Sequence, residues 1–287
     1  MKKLLLSVML AVCGMAATAN DRIKLIVPLA VGGTYDQAAR GLSDYLNKQG
    51  FNTYVENIPG AGHMVAYNRF TQDPGRQLIL TGDTFFVNAV LGRIRTEEFQ
   101  PVGYLGDNAQ FMYTSPAKGL TCANIRTRPV FLGTSGKNST SDIMTRTIQN
   151  HIGNSVSVVY YKGQNDAIRD AMAGHIDGAL AGQSAASERL VALFNTTDQT
   201  VNGVPSMREC LGLAESLKAT YLVFANNEWR DTTAISRAIV AYVNSDAFAT
   251  ASQTLGIDRG RADVNRQVSQ GLARYRRLQT RIDFTAE

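Results

Sequence analysis

The sequence predicts an α/β protein built as two lobes. Strand-like apolar runs alternate with amphipathic helical stretches, and the alternation restarts mid-chain with its own glycine loop. No low-complexity linker separates the two series, which fits a hinged pair of lobes better than tethered domains. At 287 residues the chain is long enough for about two domains. Such alternation implies parallel sheets with helices on both faces. Ligands then sit beyond the carboxyl ends of the strands.

In the first series, Ile23 to Val27 is a strand ending at Pro28, and Leu29 to Tyr35 is a loop containing Gly32-Gly33-Thr34. Ala38, Ala39, Leu42, Tyr45 and Leu46 fall on one face of a following helix. Thr53 to Glu56 and Leu78 to Leu80 are further strands, the latter running into Thr81-Gly82-Asp83. Val102 to Leu105 and Phe111 to Thr114 read as two separate strands. The second series has strands at Val130 to Leu132, Val156 to Tyr160 and Ile176 to Leu180. Its helices are Ser139 to Ile152 and Asn165 to Ala173, and its glycine loop is Gly133-Thr134-Ser135-Gly136. Tyr221 to Phe224 is a return strand, followed by helices over Ala234 to Asn244 and Val264 to Ile282.

The first residues combine Lys2 and Lys3, an apolar stretch from Leu4 to Met15, and Ala17-Thr18-Ala19. That is the pattern of a cleaved secretory signal over 1–19, with the mature start at Asn20 and a periplasmic destination. Loss of the two lysines lowers the formal charge from +5 to 5 − 2 = +3, too mild for a nucleic-acid surface. Arg266, Arg274, Arg277 and Arg281 then read as a solvated outer helix face. Cys122 and Cys210 remain after cleavage, and in an oxidising compartment they read as one disulfide or two buried thiols. Placed after the first crossing into lobe two and before the return strand, they are expected to pair near the hinge.

Several motifs occur in order. They are Pro28-Leu29-Ala30-Val31-Gly32-Gly33-Thr34-Tyr35-Asp36, Val55-Glu56-Asn57-Ile58-Pro59-Gly60-Ala61-Gly62, Asp73-Pro74-Gly75, Tyr161-Lys162-Gly163, Gly174-His175-Ile176-Asp177 and Val204-Pro205-Ser206. Together they resemble the Bug family, the TctC-type receptors of tripartite tricarboxylate transporters. The resemblance implies a type II periplasmic binding protein fold with a hinge and an interlobe cleft. It implies capture of a small carboxylate by lobe closure and delivery to the membrane subunits of such a transporter. Departures from the family pattern are Val31 for Pro, His63 and Asn138 for Gly, Asp142 for His, and Ala181 for Asp.

The expected lobes are 20–115 with 225–287, and 116–224. Gly32 and Gly33 permit positive φ and close ligand approach, and the helix start at Thr34 to Asp36 is an anion site. Asp36 is read as fixing that loop. Thr134, Ser135 and Ser139 offer hydroxyls beside Gly136. Ala30, Thr81, Gly82 and Tyr161 complete the expected ligand contacts.

No GxSxG, P-loop, GxGxxG or metal-ligand spacing is present, so no enzyme, cofactor or metal is expected. A monomer without nucleic-acid partners is expected. The competing functions are a ligand-sensing subunit acting on a membrane sensor kinase and a periplasmic enzyme on the same scaffold.

Overall fold

The computed structural model describes residues 22–153 and 155–285. The expected signal peptide and the mature start at Asn20 lie outside them. Chain order is β1 (Arg22–Val27), α1 (Thr34–Lys48), β2 (Asn52–Asn57), α2 (Met64–Gln72), β3 (Gln77–Thr81), α3 (Asp83–Val90) and β4 (Gln100–Thr114). Next come β5 (Val130–Thr134), α4 (Thr140–Ile152), β6 (Val156–Tyr160), α5 (Gln164–Ala173), β7 (Gly178–Gly182), β8 (Val191–Asn195) and α6 (Met207–Leu211). The chain closes with β9 (Lys218–Ala225), α7 (Thr233–Val243), α8 (Asp246–Leu255), β10 (Ile257–Arg259) and α9 (Val264–Gln279).

Two α/β lobes share one strand. In the first sheet, β1 lies between β2 and β3 in parallel, and β9 lies antiparallel between β3 and β4. In the second, β5 lies between β6 and β7 in parallel, and β7 and β8 flank the end of β4 in antiparallel. The sheets are therefore mixed, not purely parallel. The antiparallel pairs arise where the chain crosses between lobes. The strand expected at the return, β9, pairs wholly within the first sheet.

The two strands expected over 102–105 and 111–114 are one strand of 15 residues. Residues 100–109 pair with β9, and 110–113 pair with β7. The sequence looked interrupted because the crossing segment is polar: Asp107, Asn108 and Gln110 replace the apolar alternation. Asn108 and Gln110 are buried but bonded. Asn108 donates to the Leu255 carbonyl at 3.2 Å, and Gln110 donates to Asn108 at 2.6 Å. The Gln110 N–H donates to Thr196 at 3.0 Å. A satisfied polar strand segment costs little, whereas an unpaired one would cost about 1–3 kcal/mol per group.

Three apolar clusters hold the layers. One packs α1, α7 and α8 on a face of the first sheet through Leu42, Ile239, Tyr242 and Phe248. A second packs α5 on lobe two through Phe111, Ala167, Ile168 and Ala181. The largest runs continuously from Phe85, Phe99 and Phe224 of lobe one to Ile143, Met144 and Phe194 of lobe two. The C-terminal segment is part of it: the helix expected to reach Ile282 ends at Gln279, because Ile282 and Phe284 turn inward and are buried. Arg146 of α4 then donates to the Asp283 carbonyl at 2.7 Å, and Asn150 to that of Arg281 at 3.0 Å. Arg274 is no solvated outer-face residue. It pairs with the buried Asp83 at 3.1 Å.

Cys122 and Cys210 form a disulfide. It lies within lobe two, with the Cys122 sulfur 4.0 Å from the Leu193 carbonyl of β8. Closing a loop of 88 positions stabilises by up to about 4–5 kcal/mol in the chain-entropy account. Cys122→Ser combined with Cys210→Ser should therefore lower urea-unfolding stability by several kcal/mol, and the exported protein cleaved after Ala19, which lacks Cys13, should show no labelled thiol when denatured without reductant.

Candidate functional site

The lobes enclose a cleft of about 680 Å³, counting its mouth. Its walls are helix beginnings. Gly33, Thr34 and Tyr35 come from the start of α1, and Thr84 from that of α3. Lobe two supplies Ser139, Thr140 and Ser141 at α4 and Gly163, Gln164 and Asn165 at α5. Gln110, Ala219 and Tyr221 form the floor. Asp166 and His63 are the only ionisable groups besides tyrosine among the described lining residues.

Sequence explains why these helices start open. α1 and α5 each begin after a glycine, Gly33 and Gly163, and neither has a side-chain cap. Their first N–H groups are therefore free for a ligand. The two starts face each other across the lobes. A Cβ placed on Gly163 would stand 3.1 Å from the Ala30 Cβ, and one on Gly32 would stand 3.0 Å from the Asn165 amide. Only Gly32 has positive φ, at +87°. Gly33 sits at −75°, an ordinary extended N-cap, so the expectation of positive φ at both is corrected to Gly32 alone.

Asp36 holds the first loop rather than lining the cleft. Its carboxylate accepts the Gly32 N–H at 2.8 Å and pairs with Arg40 at 2.9 Å. Burial alone would raise its pKa; the hydrogen bonds from Arg40 and Gly32 outweigh burial and hold it below the usual carboxylate range. Thr34 reaches across the cleft, with its hydroxyl 2.8 Å from that of Ser184 in lobe two. At the other end, Thr140 of α4 donates to Asp83 of α3 at 2.7 Å.

Of the twelve expected ligand contacts, Ala30, Gly33, Thr34, Ser135 and Ser139 line the cleft. Gly32, Asp36, Thr81, Gly82, Thr134, Gly136 and Tyr161 lie behind it. Thr81 is buried and bonds Tyr67 at 2.8 Å. Gly82 admits the Thr220 carbonyl, which would stand 2.0 Å from a Cβ there. Thr134 is fully buried, its hydroxyl unpartnered. Gly136 takes a φ of +120° in the loop. Tyr161 packs on Gly133 and donates to Asp170 at 2.7 Å. Burial, then that bond, pushes its phenol up to about 12.

Ser139 is the N-cap of α4, and Ser141 links to both Ser139 and Ser135 at 3.0 Å. Behind them, Asn138 adopts φ +60° and its N–H donates to Asp142 at 2.6 Å. Arg146 clasps Asp142 and Asn138 from below. The family departures at Asn138 and Asp142 are thus one buried unit shaping the loop. Ala181 packs in the core of lobe two, away from the cleft wall.

Sequence reasoning did not find Tyr35, His63, Thr84, Gln110, Gln164 or Tyr221. Gln164 and Asn165 follow Gly163 at a helix start, the one signal that could have found them. Tyr35 stacks on Tyr221 at 4.3 Å and donates to the Thr220 carbonyl at 2.7 Å, contacts between residues far apart in the chain.

No protein-family model matches the chain. It is 29% identical over 174 residues to the Agrobacterium vitis protein described as "UPF0065 protein in the TAR-I ttuE-ttuC' intergenic region", a match covering 55% of this chain. That match spans only 50% of the relative's length. Against Protein BugT of Bordetella pertussis, identity is 24% over 274 residues, covering 82% of this chain and 84% of BugT. The solved periplasmic binding protein BugD superposes with a TM-score of 0.81 at 16% identity, over 91% of this chain and 97% of BugD. MatC from Rhodopseudomonas palustris with bound malate gives 0.78 at 19% identity, over 90% and 98%. The resemblance to Bug and TctC-type receptors therefore holds, and the fold is that of two-lobe periplasmic binding proteins. Among the described residues, no helix is long and apolar enough to cross a membrane.

Two outcomes follow from this geometry. Gly32→Ala should cost about 1–2 kcal/mol in urea unfolding, because an L side chain resists the left-handed region; Gly33→Ala, with nothing nearer than 3.7 Å to its Cβ, should cost less. His63, held neutral by burial with its pKa lowered to about 3, binds no proton in the native state where the unfolded chain does. Stability should thus fall as pH drops from about 6.5 towards 3, by up to about 1.4 kcal/mol per unit from this residue. His63→Gly should remove that increment, measured as the difference between the two unfolding-versus-pH curves.

Proposed function

We propose that the protein captures a small organic carboxylate between its lobes and hands it, unchanged, to the membrane subunits of a transporter. The observation that carries this reading is the meeting of two uncapped helix starts, α1 and α5, from opposite lobes. Each presents free N–H groups and the positive end of its dipole. A carboxylate between them gains charge-assisted hydrogen bonds from both lobes at once, without a lysine or arginine in the lining.

Binding and closure are then one event. Opened about β4, each lobe keeps half of the anion site. Closed, the ligand's negative charge compensates two like-signed helix ends that would otherwise repel. The Thr34–Ser184 and Thr140–Asp83 contacts form in the same movement. The hydroxyls of Ser135, Ser139 and Thr140 are placed to complete the cage. Ala30, Gly33 and Thr34 serve as ligand contacts; Gly32, Asp36 and Gly136 set the loops that carry them. The cleft holds no nucleophile–base pair, which favours capture over turnover. The malate bound to MatC supports the ligand class, and the periplasmic site of action rests on BugD and the N-terminal export pattern.

A thermal-shift panel of mono-, di- and tricarboxylates, amino acids and sugars tests this. A true ligand at 100 times its dissociation constant stabilises by about 2.7 kcal/mol, which raises the melting temperature by about 5 °C at this size. Carboxylates should give the shifts and be recovered intact. Shifts by sugars alone, or consumption of the hit, overturn the reading.

A further inference from the structure

His63 stands out from the rest of the cleft. It is 7% exposed, and neither ring nitrogen has a hydrogen-bond partner. Its backbone is left-handed, φ 73° and ψ −4°, at the residue preceding α2. Left-handed backbone favours glycine over histidine, although histidine tolerates it better than most side chains, and a buried imidazole without partners is costly. The ring meets Tyr67 edge-on, centroids 6.0 Å apart. A glycine would hold the same turn without either cost. The conformation and the ring are therefore retained for something outside the polypeptide.

Its position says what that is. The carbonyl of the preceding Gly62 accepts from Asn88 of α3 at 3.1 Å. A Cβ on Gly62 would stand 3.2 Å from the Lys137 carbonyl in the loop leading to α4. The turn thus sits where lobe one meets the start of α4, the cleft region also bounded by Thr84, Ser139 and Thr140. The opposed starts of α1 and α5, where Ala30 meets Gly163, make the other. Burial alone keeps the ring neutral, with no charged neighbour acting on it. A neutral imidazole brings one donor and one acceptor.

We propose that His63 is a specificity-determining ligand contact: its imidazole bonds a second carboxyl group at the α3/α4 end of the cleft, selecting dicarboxylates over monocarboxylates. This rests on the carboxylate reading of the cleft. Wild-type protein and His63→Gly would be titrated calorimetrically with butyrate, succinate, hexanoate and adipate. The wild type should prefer a dicarboxylate over its matching monocarboxylate by about tenfold, the worth of one hydrogen bond to a charged group. His63→Gly should erase that preference by lowering dicarboxylate affinity about tenfold more than monocarboxylate affinity. Imidazole nitrogen NMR gives a readout without mutation: with only three histidines in the chain, the His63 ring signals should shift at saturation with succinate or adipate. A dicarboxylate that binds with those signals unmoved, or an unchanged preference in His63→Gly, overturns the assignment and leaves the carboxylate reading standing. Failure of every acid to bind the wild type overturns both.

Discussion

The carboxylate of Asp83 ties four elements together. It sits in the first turn of α3, 1% exposed. It accepts the Thr140 hydroxyl from lobe two at 2.7 Å and the Thr220 N–H of β9 at 3.3 Å, and it pairs with Arg274 of α9 at 3.1 Å. A buried carboxylate persists only where such donors surround it. Here the donors come from the opposite lobe, the returning strand and the outer helix. Lobe position, sheet assembly and helix docking are therefore coupled through one residue, next to the cleft-lining Thr84.

That coupling shows what was legible in the sequence and what was not. Periodicity marked most helices and strands, because each is specified by neighbours three, four or two residues away. The ordered motifs marked the resemblance to Bug and TctC-type receptors, and the glycine before α1 marked an open helix start. What failed involved partners distant in the chain. Polar Asp107, Asn108 and Gln110 disguised one long strand as two, because hydrogen-bond partners such as Leu255 and Thr196 lie far along the sequence. Arg274 looked solvated because Asp83 is 191 residues away. The motif glycines and threonines behind the cleft were easy to see but mostly serve the loops. Much of what faces the cleft, such as Gln110, Thr84 and Tyr221, carries no local signature.

The proposed use of the α1 and α5 starts also accounts for the absence of lysine and arginine among the described cleft-lining residues. A carboxylate receptor with cationic side chains in its cleft would bind anions with its lobes open, since a point charge acts at range. Helix-terminal N–H groups act over the first turn only. Under the proposed carboxylate reading, splitting them between lobes would make strong binding depend on closure, and an open form would hold its ligand weakly.

The position of β9 constrains how the molecule is made. It fills the gap between β3 and β4, yet the whole of the second lobe precedes it in the chain. During N-to-C synthesis, two strands of the first sheet therefore wait with unpaired edges while lobe two is completed. Such edges are open to mispairing. Cys210 emerges before β9 does, so lobe two can close its own covalent loop first. The first lobe to begin is the last that can finish, and a chain ending before residue 218 has no complete first sheet to fold.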